Sequence, residues 1–359
     1  MLSDQLERIG LSAWFKDRLN AGKMQEFQLA RIVSINRNSF LVFDGLQTIT
    51  AEITGKLQFN ASSPLDYPAV GDWVYLQVFD NHSLALIHDI IPRKTLLKRK
   101  MAGKRADLQL IAANIDSAMI IQSLDLDFNL RRLERYLVMV NESDIVPVVL
   151  LSKSDLMNPD EVEKKKAEIH NLMPEIKVVV YNCINEAGLN LIKDELVPGN
   201  TFCLLGSSGV GKTTLINSLL KKELYETRPI SETDGKGMHT TTRRQLVFLE
   251  TGAMIIDTPG MRELGNVAEE SGLDDTFGEI VELAGQCRFN DCAHIHEAGC
   301  AVLAAVEDGT IPEGRLQNYM KLKKESAHNE MSYREKREKN RKFSKHCKSV
   351  MKTKKKKRN

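Results

Sequence analysis

The sequence predicts a multidomain chain that combines β and α/β architecture. It reads as a small closed β-barrel, a central domain with a mostly parallel sheet, and a helical module without strands. Three observations carry this reading. Short β-rich runs separated by turn residues fill residues 27–92, strand–helix alternation begins near Ile111, and the strands stop after Gly265. At 359 residues the chain is also too long for one ordinary domain.

Residues 1–24 carry a short amphipathic pattern around Leu2, Leu6, Ile9, Trp14 and Phe15, enough for one or two helical turns. The runs Ala30–Ile35, Phe40–Phe43, Ile49–Ile53, Trp73–Val78 and Leu84–Ile90 follow, punctuated by Asp44-Gly45, Gly55 and Asp80-Asn81-His82. Five such strands fit a barrel of the OB type, a fold that commonly binds oligonucleotides, or a barrel serving only as a scaffold. With its N-terminal extension this module is expected over residues 1–97. Arg93, Lys94, Lys98, Arg99, Lys100, Lys104 and Arg105 form a basic connector.

The α/β module is expected over residues 98–265. Ala118–Gln122, Ile145–Leu151, Ile176–Tyr181 and Thr201–Leu205 read as strands. Between them lie helical stripes on Leu130, Leu133, Leu137 and Val140, on residues 160–172, and on Leu189, Ile192 and Leu196. Gln245–Leu249 and Ala253–Asp257 add two more strands. Residues 266–330 read as helical, and residues 331–359 as a mobile basic tail.

Composition narrows the class. Hydrophobic residues at 42% and charged residues at 27% exclude wholesale disorder. No apolar run reaches membrane-spanning length. The first 25 residues hold acidic side chains and no apolar core of a secretory signal, so a cytoplasmic, monomeric protein is expected. The net charge of +2 hides an asymmetry. Residues 333–359 carry 14 Lys/Arg against two Asp/Glu, which leaves 36 basic against 46 acidic side chains in the rest.

Gly206-Ser207-Ser208-Gly209-Val210-Gly211-Lys212-Thr213 fits the phosphate-loop pattern G-x-x-x-x-G-K-[ST] without mismatch, and Thr214 opens the following helix. Glycines let backbone N–H groups wrap phosphates, and the helix N-terminus adds partial positive charge. Lys212 would reach the β- and γ-phosphates and the Thr213 hydroxyl would ligate magnesium. Asp257-Thr258-Pro259-Gly260 places a carboxylate near that cation and a backbone N–H, from Gly260, near the γ-phosphate.

Ser152-Lys153-Ser154-Asp155 follows a predicted strand. A carboxylate at Asp155 can accept from N1 and the 2-amino group of guanine, a donor pair that adenine lacks. Lys153 could lie over the base, with Ser154 beside it. The usual pattern reads N-K-x-D, and Ser152 has a shorter reach than Asn, which predicts a weaker tether to the phosphate loop. Asn182-Cys183 stands where a second base-contacting loop often reads S-A. The base motif precedes the phosphate loop, the reverse of the ordinary order. Because the site needs loops at the correct strand ends and not a given chain order, the pattern describes a circularly permuted P-loop GTPase domain.

Gly235–Thr242 has the glycines of a mobile switch, and one of its threonines, Thr240, Thr241 or Thr242, could close onto magnesium, with Thr241 counted among the nucleotide-site residues. Met261 occupies the position of a water-orienting glutamine, which leaves His239 as the nearest candidate for that role. Cys287-x4-Cys292-x-His294-x5-Cys300 offers three thiolates and an imidazole for one closed, structural zinc site, with His296 a competing ligand.

Together these segments resemble the RsgA (YjeQ) family of circularly permuted GTPases, over about residues 27–325. The likeness rests on the permuted order, Gly237-Met238-His239-Thr240-Thr241-Thr242, Asp257–Glu263, and the Cys287–His294 segment. The resemblance favours His294 over His296. It implies a late factor in maturation of the small ribosomal subunit that binds ribosomal RNA and hydrolyses GTP, stimulated by the subunit, with magnesium and one zinc ion. Ser152 and Asn182-Cys183 depart from the family pattern. Met261 keeps a second reading open, in which an RNA-binding module uses GTP mainly as a conformational ligand.

Overall fold

The computed structural model describes residues 2–36, 39–79, 84–100, 108–125, 127–184, 186–221, 244–258 and 270–330. Three short helices, α1 (Leu2–Arg8), α2 (Ala13–Lys16) and α3 (Ala21–Glu26), open the chain. The five barrel strands are β1 (Gln28–Ile35), β2 (Phe40–Phe43), β3 (Thr48–Ile53), β4 (Trp73–Phe79) and β5 (Leu84–Ile90). They close in the order β1-β2-β3-β5-β4-β1, with only β3 and β5 parallel. That is the OB-type arrangement. Helix α4 (Gly55–Asn60), which sequence reading missed, follows β3, and the Thr54 side chain caps it.

Alternation along β1 shows why its burial is continuous. Ala30 and Ile32 point into the barrel with Val42, Ile49, Val74, Leu76 and Ile87. Leu29 and Val33 point outward, and with Trp73 and Tyr75 of β4 they pack against Leu6, Ile9 and Phe15 of the opening segment. The N-terminal helices thus cover a barrel wall.

The basic connector includes paired strands, β6 (Leu96–Lys100) with β7 (Leu108–Ala113). Sequence reading named its cations but not its strands, and Arg99 reaches Gln109 across the ladder at 2.9 Å. The α/β region then runs β8 (Ser117–Ser123), α5 (Leu130–Asn141), β9 (Val146–Ser152), α6 (Pro159–Leu172), β10 (Lys177–Val180), α7 (Glu186–Lys193), β11 (Thr201–Leu205), α8 (Lys212–Leu220), β12 (Gln245–Phe248) and β13 (Met254–Asp257). Strands β10-β9-β8-β11-β13 are parallel in that order, and β12 pairs antiparallel on β13. Apolar side chains of α5 and α6 cover one face of the sheet and those of α7 and α8 the other.

Barrel and α/β sheet are continuous through β12 and β1, which meet at Ser34 and Gln245. Beside this junction lies Arg31, 1% exposed. Its guanidinium donates to the Ile9 carbonyl (2.7 Å), the Gly71 carbonyl (3.2 Å), the Asn114 carbonyl (3.3 Å) and the Thr201 hydroxyl (2.7 Å). Burial lowers its pKa to about 10, against the pull of Asp116 and Asp72, so it stays charged at neutral pH.

The C-terminal part comprises α9 (Glu270–Thr276), α10 (Gly278–Ala284), a Cys/His loop, α11 (Ala301–Glu307) and α12 (Glu313–Glu330). Its core of Leu273, Phe277, Ile280, Val302, Leu316, Tyr319 and Leu322 includes Val138 of α5. Packing there is close enough that a Cβ on Gly272 would lie 2.4 Å from the Val138 carbonyl. No helix among the described residues is long and apolar enough to cross a membrane.

Candidate functional site

The carboxyl ends of β8, β9, β10, β11 and β13 lie along one edge, where open parallel sheets bind ligands. After β11 the chain turns through Gly206 (φ 149°), Gly209 (φ 83°) and Gly211 (φ 101°) into α8. Positive φ is what glycine supplies at least strain. A side chain on Gly206 would also collide with the Ile121 carbonyl at 2.7 Å. Lys212, first residue of α8, folds its ammonium back onto the carbonyls of Gly206 (2.8 Å) and Ser207 (2.6 Å), placing it within the loop. Thr213 is half-buried and Thr214 exposed on the same first turn.

Asp257 ends β13 on the neighbouring strand. Burial pushes its pKa up to about 6, while the nearby Lys212 charge pulls down. Such a carboxylate lacks enough positive charge in its own protein surroundings, which suits a cation ligand. The Thr258 hydroxyl donates to the Leu204 carbonyl at 2.6 Å and ties this end to β11.

The base-side loop follows β9. Ser152 is buried, and its hydroxyl donates to the Val210 carbonyl of the phosphate loop at 2.8 Å. The shorter side chain therefore does reach the loop, because β9 and the β11 turn lie close enough for a hydroxyl to span. Lys153 adopts a left-handed backbone (φ 60°) and pairs with Asp125 at 2.6 Å. Ser154 and Asp155 form a 3-10 turn with Leu156, and Asp155 is exposed. Asn182 lies alongside, its amide 3.5 Å from the Ser154 hydroxyl, and accepts from the Ile184 N–H at 3.1 Å. Burial raises the Cys183 thiol pKa and keeps it neutral, with Asp155 close enough to add to the effect.

Sequence reading missed the segment after β8. Asp127 accepts from the Ser207 hydroxyl and pairs with Arg132 at 2.8 Å. The signal, D-L-D ahead of the Asn129 helix cap, is local and weak. His239, Thr241, Gly260 and Met261, with the switch segment and the basic tail, lie outside the described residues.

In the C-terminal part, the ligand atoms of Cys287, Cys292, His294 and Cys300 all lie within 4.8 Å of one another. Thiolates about 2.3 Å from a tetrahedrally held ion sit about 3.8 Å apart. Cys287 and Cys300 sulfurs are 3.8 Å apart, and His294 Nδ1 is 3.7 and 3.3 Å from them. The donor set fits a closed, four-coordinate structural metal site. His294 is buried within the cluster and His296 is exposed beside it. Glu297 accepts from the N–H groups of Ile295, His296 and Ala293 and holds the loop. Those donors, Ile295 first, lower its pKa to about 2.

A phosphate loop between parallel strand and helix, joined by a hydroxyl to a base-side loop that precedes it in the chain, defines a circularly permuted P-loop GTPase. Comparison with known proteins agrees. The RsgA GTPase family model matches residues 90–267. The small ribosomal subunit biogenesis GTPase RsgA 2 of Lactiplantibacillus plantarum is 43% identical over 307 residues, 86% of each chain. Its namesake from Vibrio parahaemolyticus is 38% identical across 97% of this chain and 93% of its own. The crystal structure of YjeQ from Thermotoga maritima superposes with a TM-score of 0.63 at 26% identity, over 84% of this chain and 98% of that one. The chain belongs to the RsgA/YjeQ family of circularly permuted GTPases, whose membership implies use of GTP and magnesium.

Proposed function

We propose that this protein hydrolyses GTP to GDP and phosphate while bound to the small ribosomal subunit, assists late maturation of that subunit, and is stimulated by it. The observation that carries the reading is the joined phosphate and base-side loops, in a chain 43% identical to a small-subunit biogenesis GTPase. In this reading Asp155 selects guanine, with Lys153, Ser154, Asn182 and Cys183 around the base. The backbone of Gly206–Gly211 and the Lys212 ammonium hold the phosphates. Thr213 and Asp257, with Thr241, would hold magnesium, which supplies charge neutralisation at the β- and γ-oxygens. Gly260 would donate to the γ-phosphate and His239 would orient water.

The OB-type barrel, residues 1–97, and the basic tail, 331–359, are assigned to ribosomal RNA, in keeping with the oligonucleotide preference of the fold. Cys287, Cys292, His294 and Cys300 would hold zinc as a structural cross-link for the module over residues 266–330, and the GTPase module spans 98–265. A cytoplasmic monomer is the matching location and state.

The test is GTP turnover with and without purified small subunits. An increase of about tenfold or more is expected with subunits. Equal rates would overturn the stimulated-hydrolysis reading, and binding without any turnover would favour the conformational-ligand alternative. For the metal, elemental analysis should find about one zinc per chain, and Cys292→Ser should lose most of it on dialysis. Zinc content unchanged by that substitution would remove Cys292 from the site.

A further inference from the structure

Helix α5 touches the phosphate loop on one face and the C-terminal module on the other. Residues four apart lie on one side of a helix, and residues two apart lie about 200° around it. Arg132 and Tyr136 share the first side. Arg132 holds Asp127, whose carboxylate takes the Ser207 hydroxyl, and the buried Tyr136 phenol hydrogen-bonds the Gly206 backbone. Both contacts land on the first two residues of the phosphate loop.

Glu134 lies on the opposite side, fully buried. It accepts from the buried Arg315 at 2.9 Å and from the Asn318 amide at 2.6 Å, both on α12. Arg315 also pairs with Glu279 and donates to the Thr276 carbonyl at 2.9 Å, joining α9, α10 and α12 to the same carboxylate. Arg135 reaches Glu325 at 3.0 Å. A buried ion pair with several further hydrogen bonds has one good geometry and little slack, so displacement of α12 carries α5 with it.

We propose that Asp127 is a positioning residue for GTP binding and hydrolysis, and that through Arg132, Tyr136 and Glu134 helix α5 sets phosphate-loop geometry according to the seating of the C-terminal module on Arg315. The inference rests on the guanine-nucleotide reading above. It gives the module a route to the phosphates that needs neither switch segment nor direct contact.

A double-mutant cycle in the full-length chain tests it, with GDP affinity read by calorimetry and KM and kcat by GTP turnover. Asp127→Asn should weaken GDP binding about tenfold. Asn318→Ala, which trims the anchor while leaving the ion pair, should weaken it about threefold, and Arg315→Met should weaken it further where the variant folds. In the Asp127→Asn background, where only the Tyr136 contact remains, Asn318→Ala should add clearly less than it does in the parent chain. KM for GTP should follow the same pattern, whereas a merely destabilised chain would show fewer active molecules with unchanged KM. Additive effects, or an Asn318→Ala protein with lowered melting temperature and unchanged GDP affinity, would overturn the coupling. Failure of the unsubstituted chain to bind GDP would sink the guanine-nucleotide reading itself, and this inference with it.

Discussion

Alanine in place of Lys212 is expected to lower GTP turnover by about 10³-fold, with the melting temperature within about 3 °C of the unsubstituted chain. The ammonium sits inside the phosphate loop, where it donates to the Gly206 and Ser207 carbonyls. Those two bonds are exchangeable for phosphate oxygens, whose negative charge makes them the stronger acceptors. Charge at the β- and γ-oxygens grows along the reaction, so a fixed cation contributes more in the transition state than in the bound substrate. Loss should therefore appear in kcat as well as KM. The side chain supports no core cluster, so the fold loses little. Steady-state turnover and a thermal melt on the same preparation check both halves, and turnover within about tenfold of the parent would remove Lys212 from the chemistry.

Asp155→Asn should weaken GTP binding by about 10²-fold to 10³-fold while leaving the fold intact. The carboxylate is exposed on a short 3-10 turn, open to a base. Asparagine keeps the size but turns one acceptor into a donor, which then faces a guanine donor. A xanthine nucleotide, with a carbonyl where guanine carries its amine, should regain part of the lost affinity. Calorimetry with GDP and xanthosine diphosphate reads both effects. Unchanged GDP affinity would show that the base is recognised elsewhere.

The phosphate loop was legible because its conformation is a property of residue type: Gly206, Gly209 and Gly211 sit at positive φ. The metal cluster was legible because four soft ligands within 14 residues have few other uses. Barrel strands were legible by period. The β6–β7 hairpin was not, since Lys98, Arg99 and Lys100 imitate a solvated connector. Ser152 was legible as a motif position but not as a tether, because its reach depends on the spacing of β9 from the loop. The double role of α5 was invisible: Glu134 and Arg315 meet across 181 residues, and no local pattern announces a carboxylate whose partner lies that far along the chain.

Arg31 drew no notice in the sequence for a related reason: its partners are scattered along the chain. Its guanidinium fastens the opening helices, the barrel and the first residue of β11. The family model covers residues 90–267 and so begins after the barrel, although a relative aligns across 97% of the chain. The contacts that brace the α/β sheet start earlier in the chain. A chain cut at that boundary would strip β12 of β1, leaving only its pairing with β13, and leave the Thr201 hydroxyl and the Asn114 carbonyl facing the hole where a cation had been. A boundary drawn at residue 90 therefore cuts through a buried network, and Arg31 stands on its far side.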